Sequence, residues 1–331
     1  MPQKFQGHRR RLALAAAALA AGNFITFSAR AQAAWPDRPV KLVVPYPAGG
    51  AADQTARLVA IALGERLKTQ VVVDNRPGAN GAIGAATVAK SVPDGYTLLL
   101  DATGFTVNPS LQGRMPFDPA KDLVPVSLLM QVPMLLVVPA NSPYQTMADL
   151  LKAARANPGK LSFASAGNGS AQHLAGELFK QGHKLFITHI PYRGGAPALT
   201  DLMAAQVDLM FSAMPASYPL VKSGKLRALA VTSPKRAELV KQLPTVAESG
   251  LPGFDAQEWN GLWAPAGTPK AVLDRLEAEL HAVMALPDIR QRLAANGAEA
   301  IGSSRNEFAR FTAAETTKWA RVISAAGITL D

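Results

Sequence analysis

Thirteen residues, Val126–Val138 (VSLLMQVPMLLVV), form the longest β-like run in the chain, and only Pro133 interrupts it. Strands in globular domains usually span about five or six residues, so a run of this length is expected to cross from one folded unit into another. The sequence on either side fits that expectation. Before the run, KLVVP (Lys41–Pro45), QVVVD (Gln70–Asp74) and TLLL (Thr97–Leu100) alternate with helical patterns. In the first of these, Ala56, Val59, Ala60, Leu63 and Leu67 share one face while Arg57, Glu65 and Lys68 lie opposite. Ala82–Ser91 reads as a second helix. Short, continuously apolar strands between helices point to a parallel sheet covered on both faces.

After the run the alternation resumes. Helices are expected at Met147–Ala156, Ala171–Gln181, Pro197–Ala205 and Ala216–Ser223, and strands at Leu161–Ala164, Phe186–Ile190, Val207–Phe211 and Leu226–Thr232. Pro244–Trp263, rich in Pro, Gly and aromatic residues, reads as a return crossing with loops. Two further helices follow, Ala271–Ala285, with Val272, Leu276, Leu280 and Val283 on one stripe, and Asn306–Ala325. Two crossings imply an α/β protein of two lobes: residues 34–134 and 258–331 build the first, and residues 135–257 the second. A cleft between such lobes is a natural place for a small ligand.

The ends of the chain and its composition narrow the function. Residues 1–33 carry Lys4, Arg9, Arg10, Arg11 and Arg30 and no acid; an apolar stretch, Leu12–Ala21, and the small-residue site ARAQA (Ala29–Ala33) follow the basic start. That is the pattern of a removable export signal, so the mature protein is expected in a bacterial periplasm. Without those residues the net charge falls from +10 to +5, with no block of like charges, and no nucleic-acid partner is expected. The absence of cysteine excludes disulfides, thiol nucleophiles and thiolate metal sites. No GxSxG, GxxxxGK[ST] or HExxH pattern occurs, and GANGAIG lacks dinucleotide-binding spacing. Neither a cofactor nor a metal site is expected, and the chain is not read as an enzyme.

Two loops stand out as binding candidates. VVPYPAGGAAD (Val43–Asp53) and LSFASAGNGSAQH (Leu161–His173) each run from a strand through a glycine-rich turn into a helix. Helix N-termini offer unpaired N–H groups and a positive dipole end, so two facing one cleft would bind a carboxylate without an arginine. Asp53 and Ser170 occupy expected N-cap positions, and such capped turns are also ordinary structure in α/β domains. A third loop, IPYRGGA (Ile190–Ala196), echoes the first. Tyr46 and Tyr192 either present a ring edge or hydroxyl to an organic acid or pack on neighbouring helices. Arg193 either pairs with a carboxylate or is solvated. His173 lies near the second turn, where a structural role on the helix face competes with ligand contact.

In this order the loops resemble the Bug family, the extracytoplasmic solute receptors associated with tripartite tricarboxylate transporters. The motifs that carry the resemblance are WPDRPVKLVV (Trp35–Val44), PYPAGGAAD, DNRPGANGAIGA (Asp74–Ala85), PDGYTLL (Pro93–Leu99) and NPSL (Asn108–Leu111). SAGNGSAQHLAGELF (Ser165–Phe179), PYRGGAPALTDL (Pro191–Leu202), LRALAVTSPKR (Leu226–Arg236), PTVAESGLPGF (Pro244–Phe254) and WAPAGTP (Trp263–Pro269) extend it over nearly the whole mature chain. The resemblance implies a Venus-flytrap of the type II periplasmic binding protein fold, holding one carboxylate end of a small organic acid partly through backbone amides. Carried over by motif, the first-lobe contacts are Pro47, Ala48, Gly49, Gly50 and Asp53, and Tyr46 joins them as a candidate from the reading of its own loop. The second-lobe contacts are Ser165, Ala166, Gly167, Asn168, Gly169, Ser170 and His173, with Tyr192, Arg193 and Gly194 as a further wall. Where the family often has Gly-Ser after PDGYTLL, this chain has Asp101–Ala102–Thr103–Gly104, and Thr103 and Gly104 are expected to take over that wall. The implied partners are the membrane subunits of such a transporter, with the receptor a monomer. The alternatives are a periplasmic sensor that presents the acid to a membrane signalling protein and, more remotely, an enzyme on this scaffold.

Overall fold

The structure is a computed structural model, and it describes residues 35–329; the export signal expected over residues 1–33 lies outside them. The β-like run is one strand, β4 (Leu123–Pro139), longer at both ends than its apolar stretch and buried along most of its length. It organises a ten-stranded sheet in two halves.

In the first half, β1 (Val40–Val44) lies between β2 (Val71–Asn75) and β3 (Thr97–Asp101), all parallel. β9 (Gln257–Pro265) runs antiparallel between β3 and β4. A two-residue strand, β10 (Glu299–Ala300), pairs with Met130 and Gln131 of β4. In the second half, β5 (Ser162–Ser165) lies between β6 (Thr188–Pro191) and β7 (Leu209–Ala213), again parallel. β7 and β8 (Leu226–Val231) both pair antiparallel with the C-terminal part of β4. Pro133 is tolerated where β4 passes from one set of partners to the other: it is opposite Gln257, and Met134 is opposite Ala213.

Among the described residues ten α-helices flank these strands: α1 (Ala51–Leu67), α2 (Ala82–Ala89), α3 (Gly104–Leu111), α4 (Met147–Ala156), α5 (Ala171–His183), α6 (Gly195–Met203), α7 (Met214–Lys222), α8 (Lys270–Ala285), α9 (Pro287–Ala295) and α10 (Arg305–Ala326). The amphipathic stripe read for α1 is its buried face, Ala56, Val59, Ala60, Leu63 and Leu67 included. Elements of the second unit start and stop within a few residues of expectation; the strand expected at Phe186–Ile190 forms at Thr188–Pro191. Three elements differ more. α3 was not foreseen because it has eight residues and contains Pro109. α9 begins at Pro287, a residue suited to a first helical turn. The return crossing, read as loop-rich, ends in the continuous strand β9, whose Trp259 and Trp263 are buried together.

Each half has its own core. In the first, Trp259, Trp263, Phe105, Phe117 and Phe308 pack with Val43 and Leu99; in the second, Phe163, Phe179 and Phe211 pack with Leu136 and Val138. Helix α10 serves both: Phe308 belongs to the first core, and Trp319, Val322 and Ile323 to the second. Its 22 residues span about 33 Å, which is long enough to brace one half against the other.

Candidate functional site

Strand register determines where the loops gather. β3 ends at Asp101, level with Gly261 of β9 and, through it, Leu128 of β4. β7 ends at Ala213, level with Met134 of β4. The carboxyl ends of the parallel strands in both halves therefore point toward the same stretch of β4. Six residues of β4, about 20 Å, separate the two rows. All of the candidate turns follow these carboxyl ends, which is where open α/β sheets bind ligands.

The first-half turn is built around Asp53. Its position differs from expectation: Gly50 is the N-cap, and Asp53 sits two residues further into the helix than Ala51, at N3. The pair of glycines lets the chain enter the helix without a capping side chain, and the carboxylate reaches back instead. Asp53 Oδ2 accepts the Gly49 amide at 2.8 Å and Arg57 Nε at 2.9 Å, while Oδ1 accepts Asn75 Nδ2 at 2.9 Å. Asn75 Nδ2 also donates to the Tyr46 carbonyl at 3.1 Å. The Arg57 hydrogen bond, with help from the Gly49 amide and Asn75, holds the Asp53 carboxyl at about 2 against the opposing effect of burial. A carboxylate so committed is unsuited to acid–base catalysis. Its work is to shape Pro47–Gly50, which are exposed, and to leave the first-turn amides of Ala51 and Ala52 open to an anion.

Tyr46 anchors that turn from below. Its hydroxyl donates to Asp101 Oδ1 at 2.9 Å and lies against the Gly104 backbone, where a Cβ would sit 2.8 Å from it. The Tyr46 hydroxyl is therefore occupied, leaving its half-exposed ring as the part that can meet a ligand. Asp101 Oδ1 also accepts the Ala102 amide at 2.7 Å, yet burial pushes its carboxyl up to about 7. Thr103 precedes α3, and its buried hydroxyl has no hydrogen-bond partner among the described residues. An unmet buried hydroxyl costs about 1–3 kcal/mol.

The second-half turn rests on two histidines. Ser170 caps α5 as expected, accepting the His173 amide at 3.3 Å. The His173 ring turns back beneath the glycines, where Nδ1 accepts the Gly169 amide at 3.1 Å, so Nδ1 carries no proton. His189 stacks on it, with ring centres 3.7 Å apart and an interplanar angle of 9°. His189 Nε2 is 2.6 Å from Ser165 Oγ, which also accepts the Gly167 amide at 3.1 Å. Burial, then the neighbouring His173, lowers His189 to about 4, keeping it neutral. Glu177 and Lys180, 2.6 Å apart, close the base of the cluster. The side chains of Ser165 and His173 thus hold the turn from behind by taking the Gly167 and Gly169 amides, which leaves the first-turn amides of Ala171 and Gln172, at the start of α5, open to an anion.

The third loop divides its residues. Tyr192 donates its hydroxyl to Asp201 Oδ2 at 2.9 Å, and the Tyr192 and Gly194 amides donate to the Ser165 and Ala166 carbonyls. Tyr192 is committed to its own half. Arg193 between them is exposed and makes no ion pair among the described residues, so it is a cation free to meet an acid.

One contributor was missed from sequence. Glu258, at the start of β9, accepts Gln172 Nε2 of α5 at 2.8 Å, joining the first-half sheet to the helix behind the second-half turn. It also acts electrostatically on Tyr46. Burial raises its carboxyl to about 7 although the side chain is partly exposed. An acid next to the first of the two tryptophans in QEWNGLW was the available signal.

A groove of about 770 Å³ lies elsewhere, lined by Asp274, Glu277 and His281 of α8 and by Gly302, Glu307 and Phe311. Its acidic lining repels a carboxylate, and Arg305 already pairs with Asp274 and Glu277. Among the described residues no group of acids and histidines is arranged to hold a metal ion, and no helix is long and apolar enough to cross a membrane.

Known proteins resemble this chain over most of its length. The profile of the family described as tripartite tricarboxylate transporter family receptor matches residues 55–328. Protein BugT of Bordetella pertussis is 37% identical over 298 residues, covering 89% of this chain and 91% of BugT. The solved structure of R. palustris Rpa4515 with adipate is 40% identical, covers 89% of this chain and 100% of its own, and superposes with a TM-score of 0.78. MatC of Rhodopseudomonas palustris with bound malate is 31% identical, covering 87% and 100%, with a TM-score of 0.74.

Proposed function

The chain belongs to the tripartite tricarboxylate transporter receptor family, and from that premise we propose that it captures a small organic carboxylate between its two halves. The observation that carries this reading is the register of β4, which directs the amide-bearing turns of both halves toward one stretch of strand. A carboxylate entering there meets the open N-terminus of α1 from one side and that of α5, behind the Ala166–Ser170 turn, from the other, with Arg193 at the rim. Each donor set is preorganised by side chains that do not themselves need to touch the ligand: Asp53 and Asn75 in one half, His173 and Ser165 in the other. Adipate and malate in the two related structures support an acidic ligand for this chain.

In this reading residues 34–134 with 258–331 and residues 135–257 act as the two lobes, and β4 and the segment entering β9 are the crossings about which they close. Ligand that bridges both turns binds the closed form better, and closure follows from that difference in affinity. The closed monomer then delivers the acid to the membrane subunits of a tripartite tricarboxylate-type transporter. Residues 1–33 would direct export to the periplasm and be removed. The test is the melting temperature of the mature protein against dicarboxylates, hydroxy acids, amino acids and aromatic acids, after unfolding and refolding to strip any bound solute. A rise of several degrees with a subset of acids is expected; no response to any of them would overturn the proposal.

A further inference from the structure

We propose that Glu258 is the specificity-determining residue of this cleft, favouring an acid whose far end carries a hydrogen-bond donor, an ammonium or hydroxyl group, over one whose far end is a second bare carboxylate. The inference rests on the receptor reading above and deepens it. The turns described so far contribute backbone donors, which recognise a carboxylate and nothing about the rest of the ligand. Selection must come from side chains that reach the same space, and few are free to do so: Asp53, Tyr46, Tyr192 and His173 have their polar atoms committed within the protein.

Glu258 differs. Its register partner is Val132, in the stretch of β4 toward which both sets of carboxyl ends point. Its Oε1 accepts from Gln172, its other oxygen takes no hydrogen bond from a described residue, and no described cation pairs with it. The groups around it do not compensate its charge. Gln172 of α5 is neutral, Val132 is apolar, and Tyr46 leads only to another buried acid, Asp101. A partly exposed carboxylate without a counter-charge is costly to cover with a ligand unless that ligand donates to it. A second carboxylate placed there adds like-charge repulsion in a desolvated site, whereas an ammonium or hydroxyl supplies the missing donor.

The test compares α,ω-diacids of four to six carbons with ω-amino and ω-hydroxy acids of matched length, and terephthalate with 4-hydroxybenzoate. Dissociation constants are measured calorimetrically at about pH 8.5, where the Glu258 carboxyl is ionised. Wild-type protein is expected to favour the donor-bearing member of a binding pair by about tenfold or more, a difference of one decade in Kd. Glu258→Gln keeps an oxygen for Gln172 and removes the charge, so the preference should shrink to about threefold or reverse. The bound adipate of the R. palustris relative makes the diacid arm the stringent one. Wild type favouring diacids, or a preference unchanged in Glu258→Gln, overturns the assignment while leaving acid binding intact. Failure of every acid to bind removes the receptor reading and this assignment together.

Discussion

Replacing Asp53 with asparagine tests the construction of the first turn. The carboxylate accepts from Gly49, Arg57 and Asn75 through two oxygens. Asparagine has one acceptor oxygen, and its amide must face at least one of those donors. The ionic part can be sized from the carboxyl's displacement, from 3.8 to about 2. Fully realised, that is about 2.5 kcal/mol near neutral pH. The Arg57 side chain is 54% exposed, so solvent screening reduces it, and we expect a loss of about 1–2 kcal/mol. Because the folded value lies below the unfolded one, this contribution is present above about pH 4 and is lost as pH falls through about 2. Urea denaturation should therefore show Asp53→Asn less stable than wild type near neutrality, and thermal unfolding should show a midpoint lower by about 2–3 °C. The gap should narrow as pH approaches 2. Equal stability at neutral pH, or a deficit that persists undiminished into acid, would refute the reasoning.

The other expectations concern the same framework. Asp101 has the opposite sign: its folded value is raised to about 7, so its penalty is absent below about pH 4, grows as pH rises from about 4 to 7 and is fully present above that. Asp101→Asn should therefore stabilise the protein by about 1–3 kcal/mol near pH 8 and by little near pH 4, read by denaturant titration at both. His173→Leu removes the acceptor for the Gly169 amide and should weaken acid binding by about tenfold, whereas His173→Gln, which can accept that amide, should recover part of it in calorimetry. Gly261→Ala places a methyl group against the Phe308 ring in the first core and should cost about 1–3 kcal/mol in urea unfolding, with ligand selectivity unchanged.

How much of this was legible in sequence follows from the kind of interaction involved. The crossing strand, the parallel strands and the α1 stripe are written in runs of apolar residues, where burial on one or both faces dictates residue type. Helix α3 was hidden because Pro109 argues locally against a helix, while packing of Val107 and Phe105 into the cores overrides it. Strand β9 was hidden by Asn260 and Gly261, residues poor in β-propensity; Gly261 is required because Phe308 occupies the space above it. The glycine turns were visible, and so was the Ser170 cap. Asp53 was placed on the right turn but in the wrong capping position, because two glycines removed the side chain from the N-cap itself. The His173–His189 stack and the Gln172–Glu258 contact join residues 16 and 86 positions apart, and no local pattern announces such pairs.

The central claim is that amides from both halves grip one carboxylate, and a crystal structure of the mature protein with a bound acid tests it most directly. The account predicts the carboxylate oxygens within hydrogen-bond distance, directly or through one ordered water, of the Ala48–Asp53 backbone and of the Ala166–Gln172 backbone in the same molecule. A carboxylate held by only one of these turns, or bound in the acid-lined groove beside α8, would contradict it.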